Sequence, residues 1–339
     1  MTRTDKPTRP QTSLAARYGT FMSRHSSILP TFAAVVILFL LFAGAQLYFG
    51  NFLTPSNLSA LLLNNAYLLI LAVGMTFVIV TGGIDLSVGS VMAFTGILGA
   101  KLLADGLPAV LVIPLMIAGG ALIGLLIGVL VQYFDVQPFI ASLAGLFLAR
   151  GLAFVVSLSS IRVEDPAVLW LQSTRFRVGD WYITPTGIIA LLIVVIGVLV
   201  MQWTRFGRTI YAIGGSEQSA HLMGLNVART KVLVYVISGV CGGLAGLALT
   251  AYSGAGYPLN GVGTELDTIA AVVIGGTLLT GGSGYVLGSM IGVLVYGTIT
   301  AVISFMGAEQ SWTRIIIGTL LLLFIVVQRL IVARSERRK

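Results

Sequence analysis

Charge, histidine and cysteine are all scarce in this chain, and each scarcity closes off some chemistry. Of 339 residues only 9% are charged, about a third of the usual share in a soluble domain. Hydrophobic residues make up 57%, and the mean hydropathy is +0.98. That balance leaves too little polar surface for a water-soluble globule and points to a chain that crosses a membrane repeatedly. The single cysteine, Cys241, lies in an apolar run, which excludes an intrachain disulfide and leaves a small buried hydrophobe. The two histidines, His25 and His221, fall in polar segments, with no H-E-x-x-H, cysteine cluster or convergent Ser/His/Asp set around them. No G-x-x-x-x-G-K-[ST] is present to cradle nucleotide phosphates. The expectation is no metal site, no cofactor and no enzymatic activity of the chain's own. The polar N-terminal stretch is too long for a signal peptide, and no small-residue cleavage site follows it.

Acids are also missing from the apolar runs. Asp105, Glu164, Asp165, Asp180, Glu265, Asp267 and Glu309 all fall between or at the edges of them. Ion-driven carriers place carboxylates within the membrane, so the energy source is expected on another polypeptide. An ion-coupled secondary transporter is one alternative, and a permease for another small polar solute is a second.

What the chain does have is long apolar runs. A crossing needs about 20 residues, and ten segments qualify, at about 29–50, 58–80, 86–104, 109–133, 139–159, 184–204, 231–252, 267–281, 284–306 and 311–333. The third and eighth are short and glycine-interrupted and read as broken or re-entrant, so eight full crossings with two half-crossings is a second count. Pro30, Pro55, Pro108, Pro138 and Pro185 stand at run starts, where a missing N–H costs least. The net charge of +8 gathers in the first 28 residues, in 334–339 and around the loop bracketed by Arg205, Arg208, Arg229 and Lys231. This is the positive-inside pattern of a membrane protein rather than a nucleic-acid surface. It predicts an all-α polytopic bundle with both termini cytoplasmic: a basic tail (1–28), one transmembrane domain (29–333) and a short basic tail (334–339).

Glycine is plentiful, at 41 residues. Gly120, Gly124 and Gly128, and again Gly284, Gly288 and Gly292, recur at intervals of four, so each set should share a helix face and let another backbone approach closely. The segment TGGIDLSVGS (81–90) matches TGGSGYVLGS (280–289) at five of ten positions. In the first copy, Gly82 and Gly83 can end a helix and Asp85 can cap the next one. Arg150 falls near the middle of a run, where it must face the bundle or an aqueous pathway.

The loop TRFGRTIYAIGGSEQSAHLMGLNVARTK (204–231) is the longest basic segment between runs. After Gly214 and Gly215, Ser216 is a plausible N-cap and Gly224 a helix stop. Ala220, Leu222 and Met223 offer an apolar patch beside Glu217. A helix of two turns is not stable alone, so a partner is expected to pack on it.

TRFGRTIYAIGGSEQSAHLMGL resembles the cytoplasmic signature loop of the ribose/arabinose/xylose/galactose class of ABC sugar permeases. AVGMTFVIVTGGIDLSVGSVMAFTG (72–96), LAGLFLARGLAF (143–154) and ELDTIAAVVIGGTLLTGGSGYVLGSMIG (265–292) match that class's other segments in order. The resemblance covers about 50–330 and looks closest to a galactofuranose importer permease. One departure is Ser216, where the class usually has asparagine, which also caps helices. The resemblance implies a cytoplasmic ATPase docked on loop 205–230, a periplasmic sugar-binding protein, a second permease chain and a lipid-embedded bundle in the bacterial inner membrane. If the third run is short or broken, its start faces the pathway, and Thr81, Asp85 and Ser87, with the mid-run Arg150, take a second reading as contacts to a passing sugar beside the structural one.

Overall fold

The computed structural model describes residues 29–336 apart from Gln310, with side chains described for 30–326. The basic tail 1–28 and residues 337–339 lie outside the described residues. Helices make up most of the described residues. They are α1 (Leu29–Phe49), α2 (Pro55–Asn64), α3 (Ala66–Val80), α4 (Val88–Ala104), α5 (Ala109–Tyr133), α6 (Pro138–Val156), α7 (Pro166–Ser173), α8 (Pro185–Trp203), α9 (Arg205–Gly215), α10 (Glu217–Leu222), α11 (Val227–Ser253), α12 (Thr264–Ile274), α13 (Val286–Phe305) and α14 (Ser311–Glu336). Prolines open α2, α6, α7 and α8, as their fixed φ and missing N–H favour. Two short antiparallel pairs complete the secondary structure. β1 (Ile161–Arg162) pairs with β4 (Ala255–Gly256), and β2 (Phe176–Val178) forms a hairpin with β3 (Trp181–Ile183).

Among the described residues, six helices are long and apolar enough to cross a membrane: α1, α5, α6, α8, α11 and α13. α2 and α3, a pair bent by 53° at Asn65, add a seventh if the two together make one span. This is an all-α polytopic membrane bundle. One end carries loop 204–226 with its arginines, and we call it the basic end. The other carries the β2–β3 hairpin, and we call it the hairpin end.

The centre of the bundle is α3, buried along nearly its whole length, with α11 against it. Polypeptide backbones meet where α5 crosses α11. A Cβ on Gly120 would strike the Gly239 carbonyl, one on Gly124 the Tyr235 carbonyl, and one on Gly128 would lie 2.9 Å from the Val232 backbone. The second glycine series does not form one face. α13 begins at Val286, so Gly284 stands outside the helix at φ +153°, packed on Thr277. Only Gly288 and Gly292 meet a backbone, at Gly275 and Ala271.

The run expected at 267–281 is not one helix. α12 stops at Ile274, and residues 275–285 return without regular structure. The final helix reaches Glu336, three residues into the stretch expected as a tail.

Candidate functional site

Two apolar segments are discontinuous, and the starts of their helices abut. α4 does not start at the basic end of the bundle. Its Val91 packs on Gly242, fifteen residues past the start of α11. Residues 81–87 therefore run beside the first part of α11 as non-helical chain. On the opposite side, residues 254–263 descend from the hairpin end along α4: Gly256 lies against Ala100 and Ile97, and Gly261 against Met92 and the Gly89 carbonyl. The chain then enters α12, whose Glu265 carboxylate presses on Gly89. Two half-helix N-termini thus meet deep in the bundle. Irregular backbone is tolerated at such depth only where protein or a water-filled cavity surrounds it.

Side chains stitch these non-helical segments in place. The Asp85 carboxylate is buried, at 1% exposure. One oxygen accepts from the Ser87 backbone N–H at 2.9 Å and from the Ser87 hydroxyl at 2.6 Å; the other accepts from the Ser238 hydroxyl on α11 at 2.6 Å. The cap expected from Asp85 on the α4 first turn is therefore replaced by a tie between the reversal and α11. Ser87, not Asp85, holds the cap position. The physical reason is length: helix formation begins only at Val88, so the carboxylate sits too early to reach the free N–H groups of the first turn. Arg150 donates from one guanidinium nitrogen to the carbonyls of Pro258 and, at 2.9 Å, Asn260. It holds the descending segment 254–263 by its unpaired backbone acceptors, and Glu265 supplies opposite charge nearby.

Thr81 stands apart from that centre. Its hydroxyl donates to the Val78 carbonyl at 2.7 Å within a turn at the basic end. That turn meets its sequence match. The Gly282 N–H donates to the Val80 carbonyl at 2.9 Å, and Gly281 packs on the Gly82 backbone. Gly82, Gly281 and Gly282 all have positive φ, which glycine adopts without strain. Into this joint fits Gly214 of α9, where a Cβ would collide with the Val80 carbonyl and the Gly282 N–H. Beside it the Tyr211 hydroxyl donates to the Gly284 carbonyl at 2.6 Å. Burial pushes that phenol up to about 12, so it remains a donor at neutral pH.

The basic loop is two helices rather than one. α9 is strongly amphipathic: Thr204 caps it through the Gly207 N–H, and Gly207, Ile210 and Ile213 are buried. α10 follows, capped by Ser216 and ended at Gly224, φ +73°. Glu217 reaches Lys231 at 2.8 Å and pins the loop to the start of α11. Leu222 and Met223 are 83% and 65% exposed. Ala220 was expected beside them, but it is fully buried with Ile213 and Val227, because it lies on the α10 face that turns toward α9. Gly214 is likewise committed inward, whereas a Cβ on Gly215 would meet nothing.

At the hairpin end lies a cavity of about 370 Å³, between the bent α2–α3 pair and the outer parts of α11 and α13. Its lining includes Asn64, Asn65, Tyr67, Tyr252, Tyr296 and Ser304. None of these was singled out from sequence. The signal was there: adjacent asparagines and a tyrosine inside apolar runs.

Among the described residues no three His, Cys, Asp or Glu side chains gather as a metal site; the bundle instead brings two interrupted apolar segments together between two differently built ends. The chain belongs to the family described as branched-chain amino acid transport system / permease component, which matches residues 57–325. It is 45% identical to the fructose import permease protein FruG of Bifidobacterium longum (strain NCC 2705), over 92% of this chain and 94% of that one. It is also 45% identical to the inner membrane ABC transporter permease protein YjfF of Escherichia coli (strain K12), over 86% and 89%. The ribose import permease protein RbsC of the same strain is 37% identical, over 87% and 92%. As a permease component, the chain moves solute and carries no enzymatic step of its own.

Proposed function

We propose that this chain is the membrane subunit of a binding-protein-dependent ABC importer that takes up a monosaccharide, a pentose or hexose, across the bacterial inner membrane. The family description speaks of branched-chain amino acids, but the relatives reported above that name a solute name sugars. The carrying observation for ATP coupling is the basic loop. Its α9 face is buried on the bundle while the α10 tip leaves Leu222 and Met223 in solvent, an uncovered apolar pair that a cytoplasmic ATPase would cover. The glycine joint at Gly214 then links that tip to both broken crossings. Closure of the ATPases on nucleotide would push α9, and through Gly282 and Val80 would shift the segments 81–87 and 275–285.

In this reading the basic end faces the cytoplasm. The α1, α2–α3, α4, α5, α6, α8, α11, 254–274, α13 and α14 segments make ten crossings, with both termini inside. A periplasmic sugar-binding protein docks at the hairpin end, and a second permease chain completes the pathway. The test is uptake of labelled fructose, ribose and arabinose into vesicles containing the full complex. ATP-dependent uptake of one of them, unchanged when ion gradients are collapsed, is expected. Uptake driven by an ion gradient without ATP would overturn the proposal in favour of a secondary carrier.

A further inference from the structure

Polar side chains from α2, α3, α11 and α13 open onto the hairpin-end cavity. The side chains of Asn64, Tyr67, Tyr252 and Ser304 line it and make no hydrogen bond within the described residues. Tyr67 is half-buried, while Asn64, Tyr252 and Ser304 are exposed to that open volume, so their polar atoms are free to bond a ligand there. Asn65 is 93% hidden; its NH₂ group donates to the Leu61 carbonyl at 2.8 Å, so its Oδ1 is the atom it can offer as an acceptor. Tyr296 hydrogen-bonds Asp267, which anchors one phenol in the wall. Gly297 is part of the same arrangement: a Cβ there would drive into the Asn65 amide, so glycine is what admits that side chain to the cavity.

The chemistry of this lining selects a class of ligand. Amides and phenols supply both donors and acceptors with no full charge among them. A neutral polyol with hydroxyls around its ring satisfies such a set. Aromatic rings from Tyr67, Tyr252 and Tyr296 offer apolar faces for the C–H side of the same ring. A carboxylate or ammonium solute would find no counter-ion among the lining residues. The volume, about 370 Å³, lies in the range of small-molecule sites.

We propose that this cavity is the site where the permease itself holds a single monosaccharide after delivery, with Asn64, Asn65 and Tyr252 as its hydrogen-bonding groups and Gly297 as the residue that sets its size. The proposal rests on the sugar-importer reading and deepens it.

The experiment uses the full complex, with Ser304→Cys in a Cys241→Ala background and an alkylating thiol reagent applied from the hairpin side. Fructose, ribose and arabinose are the probes. The transported sugar is expected to slow alkylation of residue 304, and that protection is expected to disappear in Asn64→Ala and Tyr252→Phe. Uptake in these two variants should fall about five- to tenfold, the worth of a hydrogen bond or two, at unchanged membrane level. Gly297→Ala should lose protection as well. Because glycine replacement can disturb folding, Tyr252→Phe, which removes one half-exposed hydroxyl, is the decisive variant. Transport of a sugar with no protection of residue 304, and full uptake by Asn64→Ala and Tyr252→Phe, would overturn the site while leaving the importer reading intact. Uptake driven by an ion gradient without ATP would overturn both.

Discussion

The two ends of this bundle are built from opposite materials. At the basic end, backbone packs on backbone: Gly214 against Val80 and Gly282, Gly281 against Gly82. At the hairpin end, side chains with polar heads surround open volume. A joint made of glycine has no rotamers to rearrange, so displacement of one strand must move the others. A cavity lined by amides and phenols can instead fill and empty without moving the backbone. The contrast assigns transmission of force to one end and contact with solute to the other.

The comparison breaks most completely at Gly214. Gly214→Val would put a branched side chain into two backbone groups that cannot retreat. Overpacking of this kind costs typically about 1–3 kcal/mol, and we expect the upper end of that range or beyond, with uptake abolished and a lowered detergent-melting temperature. Normal melting and uptake would show that the joint is looser than the geometry indicates. Next in size on transport, though not on stability, is Leu222→Asp with Met223→Asp. Both side chains point into solvent, so melting should stay at the wild-type value while uptake is lost. Full uptake would reduce α10 to a connector.

Asp85→Asn sharpens the contrast from the middle of the bundle. Two serine hydroxyls and one N–H donate to this carboxylate. The amide replaces one acceptor oxygen by a donor and leaves one hydroxyl facing it, a loss of about 1–3 kcal/mol. Reduced membrane yield is expected, recovered in part when Ser238→Ala removes the hydroxyl left without an acceptor. An Asn variant as stable as wild type would show the tie to be dispensable. The smallest effect belongs to Gly215→Ala, one residue from the joint. Its Cβ meets nothing, so uptake and melting should both match wild type; a loss would mean that the pair, not Gly214 alone, is constrained.

How much of this was legible in the sequence follows from what sequence encodes. The runs and their order could be read because about 20 apolar residues must cover the hydrocarbon. The two broken crossings were flagged by their glycines, but where helix gives way to extended chain was not, since that depends on which neighbour satisfies each free N–H and C=O. Gly284 fell outside its helix for this reason. The TGG match between 81–83 and 280–282 was visible as text, yet its meaning is a contact across 199 positions that no local pattern carries. The coupling-loop helix α10 was readable from Ser216 and Gly224. Its longer companion α9 was not, because its apolar residues had no assigned face until Ile210 and Ile213 were seen buried. The cavity escaped because the adjacent Asn64 and Asn65 lie far along the chain from Tyr252 and Tyr296 and meet them only in the folded bundle.

The central claim is directional: the glycine-jointed end faces the cytoplasm and carries the loop that couples to ATP, and the cavity end faces out. Single cysteines at Ser216 and Glu309, each in a Cys241→Ala background, test it with a membrane-impermeant thiol reagent on intact spheroplasts. The account predicts that the Glu309→Cys protein reacts from outside and the Ser216→Cys protein only after the membrane is opened. Labelling of the Ser216 variant in sealed spheroplasts would contradict it.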